Sequence, residues 1–159
     1  MRHTISVLVE NKFGVLARVA GLFSARGYNI TSLAVSETLD PSISYMTIVV
    51  DAQDEKILEQ INKQLNKLID VITVTDFTKI VHLDRELLLV KVDCLAKDRQ
   101  ELEGLFESNK FVGKIIQAEN NTAIVEAVGD QLQVKLLLEA LNKFGVKELV
   151  RTGKLAISS

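Results

Sequence analysis

Ile5-Ser6-Val7-Leu8-Val9-Glu10-Asn11-Lys12-Phe13-Gly14-Val15-Leu16 switches from one hydrophobic period to another within a single turn. Ile5, Val7 and Val9 alternate as on a strand with one buried face, and Val15, Leu16, Val19, Leu22 and Phe23 then recur at helical spacing. Gly27 stands where a helix C-cap belongs, in Gly27-Tyr28-Asn29-Ile30. A helix that begins near Gly14 leaves its first amides unpaired, and these amides with the helix dipole attract a carboxylate. Gly14 lets a ligand approach the backbone, and the Asn11 carboxamide offers both a donor and an acceptor to an ammonium–carboxylate pair. A small amino acid fits this chemistry. The same residues also suit a plainer role, in which Gly14 permits a strained turn and Asn11 caps the helix.

Outward from this stretch the pattern reads as β-α-β-β-α-β. Residues 2–10 form a strand, and Ile30–Thr38 and Ile43–Val50 form a hairpin about Asp40-Pro41-Ser42. Ile57, Leu58, Ile61, Leu65 and Leu68 mark a second helix, with Asp51 or Asp54 as N-cap, before the β-branched run Val71–Thr75. The order then repeats: strand Glu86–Cys94, helix about Leu102, Leu105 and Phe106, and strands on either side of Asn120-Asn121, a pair that tolerates a left-handed turn. A Leu-rich helix from Gln131 to Phe144 ends at Gly145, and a last strand contains Leu149, Val150, Leu155 and Ile157. The expected class is α+β: two ferredoxin-like units, residues 1–76 and 84–159, joined by a stiff segment 77–83 without Gly or Pro. Each unit would have a four-stranded antiparallel sheet with helices on one face. The other face and the edges need cover, and Val and Ile on both faces of Ile43–Val50 point to a homodimer or higher assembly.

The 159 residues are 47% hydrophobic and carry a formal charge of -2, with 19 scattered basic residues, so neither nucleic acid nor an anionic membrane is an expected partner. One cysteine makes no internal disulfide, and no signal peptide or membrane-length apolar run is read in the sequence, so the expected location is the cytoplasm.

Groups for catalysis are missing. His3 and His82 lack Cys, His, Asp or Glu neighbours at metal-ligand spacing, so no metal site is expected. Cys94 shares the parity of Leu88, Val90 and Val92 and reads as a buried inert thiol. Phosphate-cradling glycine loops are absent, and Asp54, Glu55 and Glu59 read as a solvated helix face. Lys12, Arg18 and Arg26 cluster about the first helix, either as a solvated face or to steer an anion.

Residues 5–19 and 21–30, then Asp40-Pro41, Tyr45-Met46-Thr47-Ile48 and Leu58–Val71, resemble the N-terminal ACT domain of the small subunits of acetolactate synthase, and Arg85–Val92 resembles the start of that family's second domain. The resemblance implies a regulatory subunit that binds a branched-chain amino acid, chiefly valine. It would activate and feedback-inhibit a separate catalytic large subunit holding thiamine diphosphate, FAD and magnesium. Effector contacts would be Asn11, Gly14, Val15 and Leu16 of one copy, with Asn29 and Ile30 of another. The alternatives are an ACT-type regulator of a different enzyme or of transcription. A nucleic-acid module is disfavoured by the missing aromatic RNP-type signature and the acidic balance. A stand-alone enzyme is disfavoured by the lack of a base, nucleophile or metal cluster.

Overall fold

The computed structural model describes residues 2–51, 55–107 and 110–159, and its contacts divide the chain into two units: Met1–Leu83 with Lys154–Ser159, and Asp84–Gly153.

The first unit begins with β1 (Arg2–Glu10), α1 (Val15–Ser24), β2 (Asn29–Glu37), β3 (Ile43–Asp51), α2 (Glu55–Leu65) and β4 (Val71–Asp76). The sheet order is β2-β3-β1-β4, and every neighbouring pair is antiparallel. β3 and β1 are the inner strands, and Ile5, Val7 and Val9 of β1 are fully buried in one core with Val15, Val19, Leu22 and Phe23 of α1 and Leu58, Ile61 and Leu65 of α2. Each such side chain contributes roughly 1.5–3 kcal/mol by leaving water. Leu16, grouped by its spacing with this apolar stripe, is exposed instead. Asp51, one of two candidate caps for α2, closes β3 opposite Arg2 and Asn29, and the other, Asp54, lies outside the described residues. Glu59 faces solvent beside Lys63, as a solvated helix face requires.

The second unit repeats the topology with β5 (His82–Asp93), α3 (Arg99–Glu107), β6 (Val112–Glu119), β7 (Thr122–Gly129), α4 (Gln131–Leu141) and β8 (Val146–Arg151), in the order β6-β7-β5-β8. Asn120 and Asn121 both take positive φ, 52° and 60°, so the hairpin turn is the left-handed one their dipeptide favours. Asp130 and Gln133 form a reciprocal capping box that starts α4. The helical run read to Phe144 tightens after Leu141 into a 3-10 turn, Asn142–Phe144, and stops at Gly145 with φ 80°.

The end of the chain departs from expectation. Where the sequence pattern suggests one strand, Gly153 at φ 80° breaks it, and a separate β9 (Leu155–Ser158) follows. β9 pairs with β5, contacts β1 and belongs to the first unit rather than the second. There it accounts for a burial pattern that the helices leave unexplained. Thr4, Ser6, Thr47 and Val49 point to the sheet face opposite α1 and α2, yet all are buried. Tyr45 donates its hydroxyl to the Ala156 carbonyl at 2.8 Å, and the Lys154 amide donates to Ser32 Oγ at 3.1 Å. Phe77, at the start of the segment read as a linker, is also buried and meets the His82 ring at 4.9 Å. Part of the cover expected from a second copy is thus supplied within the chain.

Candidate functional site

The turn from β1 into α1 is built on Gly14, whose φ of 81° is comfortable only without a Cβ. It occupies the N-cap of α1 with no side chain capping the helix, and the first turn holds no acidic residue. Val15 N reaches Lys12 O at a long 3.3 Å, and the first helical bond runs from Arg18 N to Gly14 O at 3.0 Å. Among the described residues no acceptor meets the amides of Gly14, Leu16 or Ala17. A helix that starts this way presents free donors and the positive end of its dipole together.

Asn11 is not the cap. Its backbone amide donates to Ser42 O at 2.7 Å and its Nδ2 to Pro41 O at 2.8 Å, which ties the turn to the β2–β3 hairpin. With Nδ2 donating to a carbonyl, the Oδ1 of this exposed residue remains an acceptor. The hairpin is itself ordered: Asp40 Oδ1 accepts from the Ser42 amide at 2.9 Å and the Ser42 hydroxyl at 2.7 Å. Those bonds hold the Asp40 carboxyl below its usual range.

The three basic residues near α1 are not a free cluster. Lys12 Nζ lies 2.6 Å from Glu10 Oε2, a bond that raises its pKa. Arg26 caps Leu22 O and reaches Gln64. Arg18 pairs with the buried Asp70 through Nε at 2.9 Å and Nη2 at 2.7 Å, and Nη1 would stand 3.1 Å from a Cβ placed on Gly14. Asp70 also accepts Glu10 N on its carbonyl at 2.9 Å. Neither the Asn11–Pro41 bond nor the Arg18–Asp70 pair leaves a local trace in sequence, since the partners stand 30 and 52 positions apart.

Of the six residues singled out, Asn11, Gly14, Val15 and Leu16 come together at this turn. Val15 offers only backbone, because its side chain is buried in the core, whereas Leu16 projects outward. Asn29 and Ile30 lie elsewhere. Asn29 pairs with Asp51, which faces Arg2, whereas the Gly14 turn follows Glu10, which faces Ile43. Eight strand residues at about 3.3 Å each separate the two groups by about 26 Å within one copy. Ile30 is half-buried against its own core, and Asn29 is exposed at the start of β2.

Other reactive side chains are in structural settings. His3 is buried with Nδ1 3.2 Å from Thr78 Oγ1, and His82 Nδ1 sits 2.9 Å from Ile80 O. Cys94 is buried, which pushes its thiol pKa up. Among the described residues no three His, Cys, Asp or Glu side chains converge as metal ligands, and no helix is long and apolar enough to cross a membrane.

Paired βαββαβ units, the first carrying a glycine-opened helix at the end of its central strand, define a protein of the ACT-domain class. Residues 5–73 match the family described as the AHAS small subunit-like ACT domain, and residues 85–159 match the small subunit of acetolactate synthase. The chain is 46% identical over 157 residues to a probable acetolactate synthase small subunit of Archaeoglobus fulgidus, covering 99% of this chain and 96% of that protein. It is 42% identical to the Aquifex aeolicus acetolactate synthase small subunit, covering 98% and 80% of the two chains. A crystal structure of the small subunit from Thermotoga maritima superposes with a TM-score of 0.87 at 38% identity, over 100% of this chain and 98% of that one. The chain belongs to the acetolactate synthase small-subunit family.

Proposed function

We propose that this chain is the effector-sensing regulatory subunit of an acetolactate synthase in the cytoplasm. It binds a branched-chain amino acid, chiefly valine, activates a catalytic large subunit by associating with it, and confers feedback inhibition on branched-chain amino-acid biosynthesis. The chemistry of thiamine diphosphate, FAD and magnesium is assigned to that large subunit. The observation that carries the reading is the uncapped start of α1 at Gly14, with free amides at Gly14 and Leu16 and, in the same turn, the Asn11 carboxamide, whose oxygen remains an acceptor. These groups match the carboxylate and ammonium of an amino acid. Asn29 and Ile30, about 26 Å away in the same copy, join the site only from a second copy, so binding and dimerisation are linked.

Isothermal titration calorimetry of the purified chain against valine, leucine, isoleucine and glutamate tests the reading. Valine is expected to bind at no more than one molecule per chain and glutamate not at all. Leucine and isoleucine differ from valine by one methylene, worth about 1–3 kcal/mol. Absence of heat with all three branched amino acids refutes sensing by this chain.

A further inference from the structure

The guanidinium of Arg18 has one nitrogen to spare. Nε at 2.9 Å and Nη2 at 2.7 Å both meet Asp70 Oδ2, whereas Nη1 makes no hydrogen bond among the described residues. That free nitrogen is also the one nearest Gly14: it stands 3.1 Å from the point a Cβ would occupy, one bond out from the Gly14 backbone. It therefore flanks the same turn whose amides at Gly14, Leu16 and Ala17 lack an acceptor.

Arg18 is held there against its own electrostatics. The start of a helix carries the positive end of the dipole, which favours acidic groups and repels cations. The second unit follows that rule, since α4 opens on Asp130 and α3 carries Glu101 in its first turn. α1 has neither an acidic residue in its first turn nor a side-chain cap, and it brings a guanidinium back over its own start. Departures of this kind from a local rule collect at binding sites. What holds the guanidinium is Asp70, which is buried and fastened to the end of β1, its carbonyl taking the Glu10 amide at 2.9 Å. Lys12, the next cation along, is tied to Glu10 at 2.6 Å. Free amides, a dipole end and a fixed cation with one open nitrogen leave an anion as the missing partner. Asn29 and Ile30, assigned to the pocket from a second copy, bring no negative charge, so the anion comes with the ligand.

We propose that Arg18 Nη1 completes the carboxylate subsite for the effector, with Asp70 as the residue that positions it. The inference rests on the reading above that a branched-chain amino acid binds at this turn. A carboxylate has two oxygens, and here one meets the backbone amides while the other takes the guanidinium. The Gly14 turn then selects for the α-carboxylate and not for the aliphatic side chain. Through Arg18 the ligand is also tied to Asp70, the residue that leads into β4.

The test is calorimetric titration of the full chain with valine and with valinamide, which keeps the side chain and ammonium but has no carboxylate, together with sedimentation of each variant without ligand. The native chain is expected to prefer valine at least tenfold. Arg18→Gln should weaken valine at least tenfold and change valinamide less than twofold, so that the preference disappears. Arg18→Lys keeps a charge without the fork that holds Asp70 and ligand together, and should fall between the two. Because Arg18→Gln leaves the buried Asp70 unpaired, Arg18→Gln/Asp70→Asn removes both charges and should show the same loss of preference if the single variant melts early. A variant that weakens valine and valinamide alike overturns the proposal, since Arg18 then only supports the turn. So does a native chain that binds the two equally, and so does a change of oligomeric state in Arg18→Gln, which gives Nη1 to a second copy. If the native chain binds no valine, the proposed function falls and the subsite with it. If the native chain binds valine and Arg18→Gln keeps the native preference, the subsite alone falls.

Discussion

The hydroxyl of Tyr45 and the carbonyl of Ala156, 111 positions apart, meet at 2.8 Å and fasten the last strand to the first unit. Tyr45→Phe removes this one bond and leaves the Ala156 carbonyl to find water. The expected loss is about 1 kcal/mol, read as a lower urea midpoint with unchanged slope. Deleting residues 154–159 uncovers Thr4, Ser6, Thr47 and Val49 as well and should cost several times more.

Gly14→Asp tests the proposed effector site without dismantling the fold. The αL backbone at φ 81° strains a non-glycine residue by about 1 kcal/mol, less for Asp than for most. Its carboxylate would stand beside Arg18, in the approach that an anion needs. Valine binding should fall below detection by calorimetry, while the circular dichroism melt shifts by only a few degrees.

Two glycines of the second unit should respond with opposite signs. A Cβ on Gly113 would lie 2.5 Å from Glu126 O and 2.8 Å from Phe106 Cε1, so Gly113→Ala should destabilise by about 1–3 kcal/mol. Gly104 lies in α3 with nothing within 4 Å, and Gly104→Ala should stabilise by about 0.5–1 kcal/mol. Chemical denaturation of the two variants checks both signs.

Asp40 makes the hairpin acid-sensitive. Its carboxyl is held below the ordinary range by the Ser42 hydroxyl and amide, so its stabilising effect is complete above the unfolded-chain value. That effect is lost as the pH falls through the lower, folded value. Amide signals of Leu39 and Ser42 should therefore shift in NMR only at strongly acidic pH, and Asp40→Ala should abolish the transition.

Much of this architecture was legible because local chemistry and tertiary role agree. The shift of period at Asn11–Gly14, the Gly27 and Gly145 stops and the Asn120-Asn121 turn each act over a few residues, and each appears where the pattern places it. Leu16 was misgrouped because helical spacing alone does not say how wide the buried stripe is. β9 was misplaced for a different reason. Leu149, Val150, Leu155 and Ile157 read as one run, and only Gly153 marks the break, while the surface that β9 covers is set by β1 and β3, more than a hundred residues earlier. At the candidate site, Gly14 carries its own signature in the chain. The carbonyls of Pro41 and Asp70 do not, since any residue has one.

The distance along the sheet between Gly14 and Asn29 has a genetic corollary. Under the proposed pairing, a dimer holds two pockets, each drawing its turn from one copy and its strand start from the other. Co-expressing a chain spoiled at Gly14 with a chain spoiled at Asn29 then yields hybrids in which both lesions fall in the same pocket and the second pocket is whole. Two alleles that are each insensitive to effector should restore partial sensitivity together, at one ligand per hybrid dimer.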